Sequence, residues 1–223
     1  RECRSFWIVP EHHKLVGCDA SGLELRMLAH YMRDENYTNE ILSGDIHTAN
    51  MKAAGLTDRN QAKTFIYAFL YGAGPAKIGQ IVGGGYKEGQ KLTDSFLRNT
   101  PALARLRERV SKFSAGGTLP GLDGRRIRVR SEHAALNTLL QGAGAIVMKQ
   151  ALVLMVESLD KYAIPYKLVA NVHDEFQIEV PENFADVVGK AAVRAIKNAG
   201  EVLDLRCPLD AEYNVGNNWA ETH

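Results

Sequence analysis

The amino-acid sequence predicts an α+β fold, and three segments carry that prediction. Over residues 167–180 apolar side chains recur at every second position, which is typical of two half-buried antiparallel strands. Over residues 131–159 they recur with the 3.6-residue period of a helix that has one buried face. Residues 14–18 form a short apolar run, and helical spacing follows at residues 22–32. Strands that form an antiparallel sheet, with helices kept apart from it, define the α+β class.

The remaining elements follow in chain order. Asp19 comes directly after the first strand, at the expected turn. Thr57 is expected to cap a helix of about four turns, because Asp58 follows it and Gly72 and Gly74 supply a stop.

Further along, Asp123 and Gly124 form a tight-turn signal between residues 119–122 and 125–129, which predicts a hairpin rich in arginine. His173, Asp174 and Glu175 fall at the junction of the two strands in 167–180. A helix over residues 183–199, ended by Gly200, and a last strand over 209–215 complete the pattern.

The composition is that of an ordinary globular protein. The chain has 223 residues, 45% of them hydrophobic and 24% charged, enough for one large or two small domains. It has neither a run of about 18 apolar residues nor the layout of a signal peptide, so we expect a cytoplasmic protein with no membrane partner. Its three cysteines have no metal-type spacing and indicate reduced thiols.

The positive charge is unevenly distributed. The formal net charge is only +1, yet residues 98–130 hold nine basic and two acidic side chains. Such a segment could lie along a polyanion such as DNA, and a solvated helix face and loop explains it equally well.

Two aspartates are candidate metal ligands. Asp19 follows a buried strand and Asp174 lies at a hairpin tip, so both place a carboxylate at the edge of a sheet. Magnesium prefers one or two carboxylates, its own waters and substrate phosphates, which an open aspartate pair allows. A role as turn or cap residues is the ordinary alternative for each aspartate alone.

Four side chains share one stripe of the helix that begins near residue 58. Arg59, Lys63, Tyr67 and Tyr71 follow one another at intervals of four residues. The two cations could hold a phosphate chain while a base or sugar packs on the tyrosines. An amphipathic helix with half-buried tyrosines and solvated cations is the alternative.

Three motifs, in this order along the chain, resemble those of the family A (polymerase I-like) DNA polymerases. Residues 19–26, DASGLELR, are similar to the first motif of the family. Arg59, Lys63, Tyr67, Tyr71 and Gly72 match R-x3-K-x3-[FY]-x3-YG, and residues 172–175, VHDE, match the third motif. Residues 44–47, GDIH, resemble a further signature, and the ending from Gly216 to His223 is similar to that of the replicative polymerases of short-tailed phages.

The resemblance implies a two-metal nucleotidyl transfer. Asp19 and Asp174 would hold two Mg²⁺ ions, with the backbone carbonyl of Ala20 as an additional ligand. Asp19, Asp174 and Lys63 would be the catalytic residues. The dNTP would be bound by Glu24, His47, Arg59, Lys63, Tyr67 and Tyr71, with Glu24 as a steric gate against a 2′-hydroxyl.

The family also implies where primer-template DNA is bound. Asn137 and Gln141 match minor-groove contacts of the family, and His173 and Glu175 would lie beside the primer terminus. The arginines of the expected hairpin, Arg125, Arg126 and Arg128, would follow the DNA backbone.

The expected organisation is a palm in two parts, residues 1–29 and 131–223, with a helical fingers insertion at 30–130. No thumb or exonuclease fits before Asp19, so we expect a fragment that needs an upstream polypeptide for full activity. That polypeptide would carry the thumb, with or without an exonuclease. One alternative is a catalytically incomplete fragment that only binds DNA or nucleotide. A remote alternative takes His173 and Asp174 as the metal pair of an HD-type phosphohydrolase.

Overall fold

The computed structural model describes residues 2–223 and divides the chain into two compact units. The first consists of the residues up to Arg26 together with Ala143–His223, and the second is Met27–Gly142. Ten α-helices and six strands make up the described residues, with the bounds α1 Glu2–Ser5, β1 His13–Ala20, α2 Leu23–Met32, α3 Glu35–Leu42, α4 Ile46–Ala54, α5 Arg59–Leu70, α6 Pro75–Ile81, α7 Tyr86–Asn99, α8 Pro101–Ser114, β2 Thr118–Pro120, β3 Arg126–Arg128, α9 Ala135–Lys161, β4 Lys167–Val172, β5 Glu175–Pro181, α10 Ala185–Val202 and β6 Ala211–Gly216. The α+β prediction is confirmed.

A four-stranded antiparallel sheet forms the centre of the first unit. Its strand order is β4-β5-β1-β6, so β1 is paired on both sides. The buried stretch of β1, residues 15–18, is the apolar run from which the strand was predicted. Because both edges of β1 are paired, the strand continues to Ala20, and Asp19 lies inside it rather than at a turn as expected.

Helix α10 packs against this sheet through a face of small residues. Gly189 is required there, since a side chain at this position would collide with the ring of Tyr213 on β6. The prediction that Gly200 ends the helix was wrong, because α10 continues to Val202. Gly200 lies against the side chain of Leu209 instead, so its small size serves helix packing.

The second unit is mainly helical, and three of its helices begin at aspartates. Asp34, Asp45 and Asp58 cap α3, α4 and α5, each accepting at least one backbone N–H of the first turn. The cap of α5 is therefore Asp58 and not Thr57, a one-residue correction. Phe65 and Phe69 on α5 pack edge-on against Phe96 on α7, with ring centroids 5.1 and 5.6 Å from that of Phe96, which fixes the buried face of α5.

The arginine-rich hairpin is present in the second unit. Strands β2 and β3 pair around a turn in which Gly124 has a φ of 82°, a left-handed conformation that suits glycine. The paired strands are shorter than predicted, at three residues each.

Helix α9 contributes residues to both units and has a continuous apolar side. By length and hydropathy the stretch Glu132–Lys161 could also cross a membrane. The same composition is typical of the core helix of a soluble protein, and Ala143, Val147 and Ala151 are fully buried here. The three cysteines are free, as expected, with Cys18 and Cys207 buried.

Candidate active site

The sheet brings the acidic candidates of the first unit together. Asp19 on β1 is directly opposite Glu175 on β5 in the strand register. The backbone N–H of Ala20 donates to the carbonyl of Asp174 at 2.9 Å, which ties the β4–β5 turn to the end of β1. The register of two paired strands and one further backbone hydrogen bond thus fix the positions of Asp19 and Asp174.

His173 occupies the turn itself, with a φ of 59°. Its Nδ1 lies 3.0 Å from a carboxylate oxygen of Asp174, and its Nε2 lies 3.6 Å from Oε1 of Glu24 on α2. A left-handed residue other than glycine is uncommon and occurs where the surroundings hold it in place. The predicted gate residue Glu24 is therefore in the same cluster as the third motif.

Glu175 is buried, with 3% of its surface exposed, and its carboxylate is fully engaged. Trp219 Nε1 donates to Oε1 at 2.6 Å, Gln177 donates to the same oxygen, and His223 Nδ1 lies 2.7 Å from Oε2. No role was predicted for Trp219 or His223. The only sequence observation that included them was the similarity of residues 216–223 to phage polymerases, and this similarity does not indicate which residues they contact.

The carboxylates form a candidate cation site. Among the described residues, Asp19, Glu175 and His223 offer ligand atoms that all lie within 4.8 Å of one another. Burial and then the charges of Asp174 and Glu175 raise the pKa of Asp19 to about 6, while His173 acts in the opposite direction. Burial and the neighbouring carboxylates disfavour the charged form of Asp19, and a bound cation would favour it, so the oxygen donors of this cluster suit Mg²⁺.

In the second unit, the stripe of α5 faces solvent. Arg59, Lys63 and Tyr71 are exposed and Tyr67 is half-buried, whereas Ala62, Phe65, Ile66, Phe69 and Leu70 form the buried face. The two cations are thus accessible to a ligand, and the tyrosine at the end of the stripe is 49% exposed.

Arg59 is bound to Asp45, the N-cap of α4. Its Nε donates to Oδ2 at 2.7 Å and its Nη2 donates to Oδ1 at 3.0 Å, a bidentate pair. Asp45 belongs to the GDIH signature and Arg59 to the second motif, but no role for Asp45 was predicted. The Arg59 guanidinium, as the main cause, holds the pKa of the Asp45 carboxyl well below its usual range.

His47 lies next to this pair. Its backbone N–H donates to Asp45, and its ring lies 6.5 Å from that of Tyr67. Burial lowers the pKa of His47, and the charges of Arg59 and Lys63 lower it further. The ring Nδ1 is buried and has no hydrogen-bond partner among the described residues. Four of the predicted dNTP-binding residues are therefore neighbours: His47, Arg59 and Lys63, which were predicted to contact the triphosphate, and Tyr67, which was predicted to contact the sugar or base.

The predicted DNA-contacting residues outside the carboxylate cluster also lie in the second unit. Asn137 and Gln141 are half-buried on α9, and Gln141 Nε2 donates to the hydroxyl of Tyr71 at 3.4 Å. In the hairpin, Arg125 is paired with Asp123, whereas Arg126 and Arg128 are exposed and have no ion pair among the described residues.

Comparisons with known proteins agree with the motifs. The sequence model of DNA polymerase family A matches residues 1–221 of the chain. The DNA-directed DNA polymerases of Enterobacteria phage T3 and Escherichia phage T7 are each 47% identical to the chain over 233 residues, covering 93% of it. The thermostable DNA polymerase I of Thermus filiformis is 31% identical and covers 98% of it.

A solved structure has the same fold. The POL domain of Pol1 from M. smegmatis, in complex with DNA primer-template and dNTP, superposes with a TM-score of 0.87 over 98% of the chain, at 22% sequence identity. The chain spans only 33% of the length of the two phage relatives and 42% of that solved chain.

Proposed function

The chain belongs to DNA polymerase family A, and from that membership we propose that it adds deoxynucleotides to a primer 3′-hydroxyl under the direction of a template, by a two-metal mechanism. The single observation that carries the proposal is the carboxylate cluster at the end of β1. Asp19 lies opposite Glu175, and the adjoining backbone is bonded to Asp174. An HD-type phosphohydrolase is not supported, because His173 and Asp174 lie in a turn between strands rather than on helices.

The first unit, which contains the carboxylate cluster, is proposed to bind the metal ions. Asp19, Asp174 and the carbonyl of Ala20 would hold two Mg²⁺ ions, which supply activation of the 3′-hydroxyl and stabilisation of the pyrophosphate charge. Glu175, opposite Asp19 in the strand register, would help to keep Asp19 in position, because its own buried carboxylate is held by Trp219, Gln177 and His223. His173 keeps contact with both Asp174 and Glu24, which would orient the gate against a 2′-hydroxyl.

The helical unit is proposed to bind the triphosphate. Arg59 and Lys63 present exposed cations on α5, and His47 lies beside them. Cations placed where charge develops on the leaving pyrophosphate stabilise the transition state. Tyr67 and Tyr71 would contact the sugar and base. On this assignment residues 1–29 and 131–223 are the palm and residues 30–130 are the fingers.

DNA and an upstream polypeptide are the proposed partners. Asn137 and Gln141 would contact the minor groove. In the hairpin, Arg126 and Arg128 would contact backbone phosphates, whereas Arg125 is paired with Asp123. Because the chain spans a third of the length of its phage relatives, we expect a polypeptide that corresponds to their other two thirds, including a thumb, to be needed for tight DNA binding. With phage and bacterial DNA polymerases as its relatives, the enzyme is proposed to act in the cytoplasm.

A primer-extension assay with Mg²⁺ tests the proposal. The chain is assayed alone and with the upstream portion of a phage relative supplied as a separate polypeptide. We expect poor extension and weak primer-template binding alone, and recovery of both with the partner. If the chain binds dNTP and DNA but extends no primer under either condition, the binding-fragment alternative is correct instead.

A further inference from the structure

The ion pair at the start of α4 leaves half of an arginine available. Arginine has five N–H donors arranged along two edges of a planar fork. Asp45 takes one edge, the Nε and Nη2 side, with donor–acceptor distances of 2.7 and 3.0 Å. The remaining donors of Arg59 have no acceptor among the described residues, and half of the side chain, 50%, is exposed to solvent.

Asp45 is itself held in place by the helix that it caps. Its carboxylate accepts the backbone N–H groups of His47 and Thr48 at 3.1 and 3.3 Å and the Thr48 hydroxyl at 2.8 Å. With the two bonds from Arg59, five donors fix the two carboxylate oxygens. A flexible arginine side chain on α5 is thereby attached to a rigid point on α4.

We infer that Asp45 is a positioning residue for nucleotide binding, which holds one edge of Arg59 so that its other edge is directed at a phosphate of the incoming triphosphate. This inference rests on the proposed function. In the alternative arrangement, Asp45 competes with the phosphate for the Nε and Nη2 donors of Arg59. Holding a long cation in its binding conformation before the ligand arrives reduces the ordering cost of binding.

The chain supplies a matched control for the capping role of Asp45. Asp58 caps α5 in the same way, accepting the backbone N–H of Gln61, and makes no ion pair among the described residues. Replacing either residue with asparagine keeps a good N-cap, because asparagine and aspartate cap equally well. Only Asp45→Asn removes a negative charge that is bonded to an arginine.

The experiment measures the Kd of Mg-dNTP for the whole chain in the wild type, Asp45→Asn, Asp58→Asn, Arg59→Ala and the double variant Asp45→Asn/Arg59→Ala. We expect Asp45→Asn to raise Kd about tenfold and Asp58→Asn to change it by less than about twofold. In the Arg59→Ala background, Asp45→Asn should have no further effect, because its role is exerted through Arg59. In parallel, ¹⁵N NMR should show that exchange of the Arg59 Nε–H is slow in the wild type and fast in Asp45→Asn.

Three outcomes would overturn the inference. A lower Kd in Asp45→Asn would mean that the carboxylate competes with the phosphate. An unchanged Kd, with the NMR signal confirming the ion pair, would mean that the pair has no part in binding. If Arg59→Ala binds dNTP as well as the wild type, the triphosphate role of Arg59 in the proposed function is wrong, and the positioning role fails with it. Only that last result separates an error in the proposed function from one in the inference alone.

Discussion

The carboxylates of the sheet unit and the cations of the helical unit are held in opposite ways. Asp19 and Asp174 are fixed by strand register and backbone hydrogen bonds, and Glu175 behind them is buried with every carboxylate oxygen engaged. Arg59 and Lys63 stand on an exposed helix face, and one ion pair restrains Arg59. Like charges repel one another, so they need a rigid scaffold to hold them together. Burial first, and then the charges of Asp174 and Glu175, raise the pKa of Asp19. Cations that receive a ligand from solvent need exposure more than burial.

The largest expected effect is in the sheet unit, the first of the two units, because its carboxylates are proposed to hold the metal ions for the chemical step. Asp19→Asn or Asp174→Asn should reduce the rate of primer extension by about a hundredfold or more, because both proposed metal ions lose a shared ligand. The measurement is single-turnover extension with Mg²⁺ and the upstream polypeptide present.

Glu212→Gln is the matched control for these two variants. Glu212 on β6 is opposite Asp19 on the other side of β1, and like Glu175 it raises the pKa of Asp19. It has no proposed metal role, so Glu212→Gln should extend primer at close to the wild-type rate. Retention of more than about a tenth of that rate by either aspartate variant would refute the two-metal assignment.

A smaller effect is expected for substitutions on α5, the helix that is proposed to bind the nucleotide. Lys63→Ala should lower kcat/KM for dNTP by about tenfold to a hundredfold, because a cation near the phosphates is lost while the carboxylates are untouched. Lys52→Ala on α4, which removes another exposed lysine, should change kcat/KM little. The proposed triphosphate role of Lys63 is wrong if Lys52→Ala and Lys63→Ala lower kcat/KM by the same factor.

Sugar selection gives a finer test of the same helix. Tyr67 is half-buried beside His47, and the family motif accepts phenylalanine or tyrosine at this position. Only tyrosine brings a hydroxyl near the missing 3′-hydroxyl of a dideoxynucleotide, so the wild type should accept chain terminators readily. Tyr67→Phe should discriminate against them about tenfold more strongly, the value of one hydrogen bond to a charged group. Competition between dideoxy and deoxy substrates measures the ratio, and an equal ratio in both proteins removes this role.

Much of the fold could be predicted because its signals are local. The alternation over residues 167–180 predicted β4 and β5, and the four-residue interval predicted the exposed stripe of α5. Two of the wrong predictions were decided by contacts outside the local segment. Gly200 packs against Leu209 instead of ending a helix, and Asp19 remains in a strand because β1 is paired on both sides.

The least predictable parts of the candidate site are its charge partners. Asp45 and Arg59 are 14 residues apart in sequence, and Glu175 and His223 are 48 apart. Neither pair has a sequence interval with a physical meaning, since the folded chain alone decides which opposite charges meet. The motifs therefore predicted the residues of the site but not Asp45 or His223 as their partners.

The smallest expected effect concerns the arginines of the hairpin, because this short segment contains both arginines without an ion pair and an arginine with one. Each cation that neutralises a DNA phosphate releases counterions, so its loss should reduce the slope of log K against log salt by about 0.9. Arg126 and Arg128 are exposed and have no ion pair among the described residues, while Arg125 is already bonded to Asp123. Arg126→Ala and Arg128→Ala should each weaken primer-template binding a few-fold and lower the slope by about that amount, and Arg125→Ala should do neither. Fluorescence anisotropy with labelled primer-template over a range of salt concentrations measures both quantities.

Equal slopes for all three variants and the wild type would exclude the hairpin from the DNA contact. If Arg125→Ala weakens primer-template binding as much as the other two variants, the ion pair with Asp123 must open when DNA binds. The bound DNA, rather than the fold alone, would then determine which arginines of the hairpin are available to phosphates.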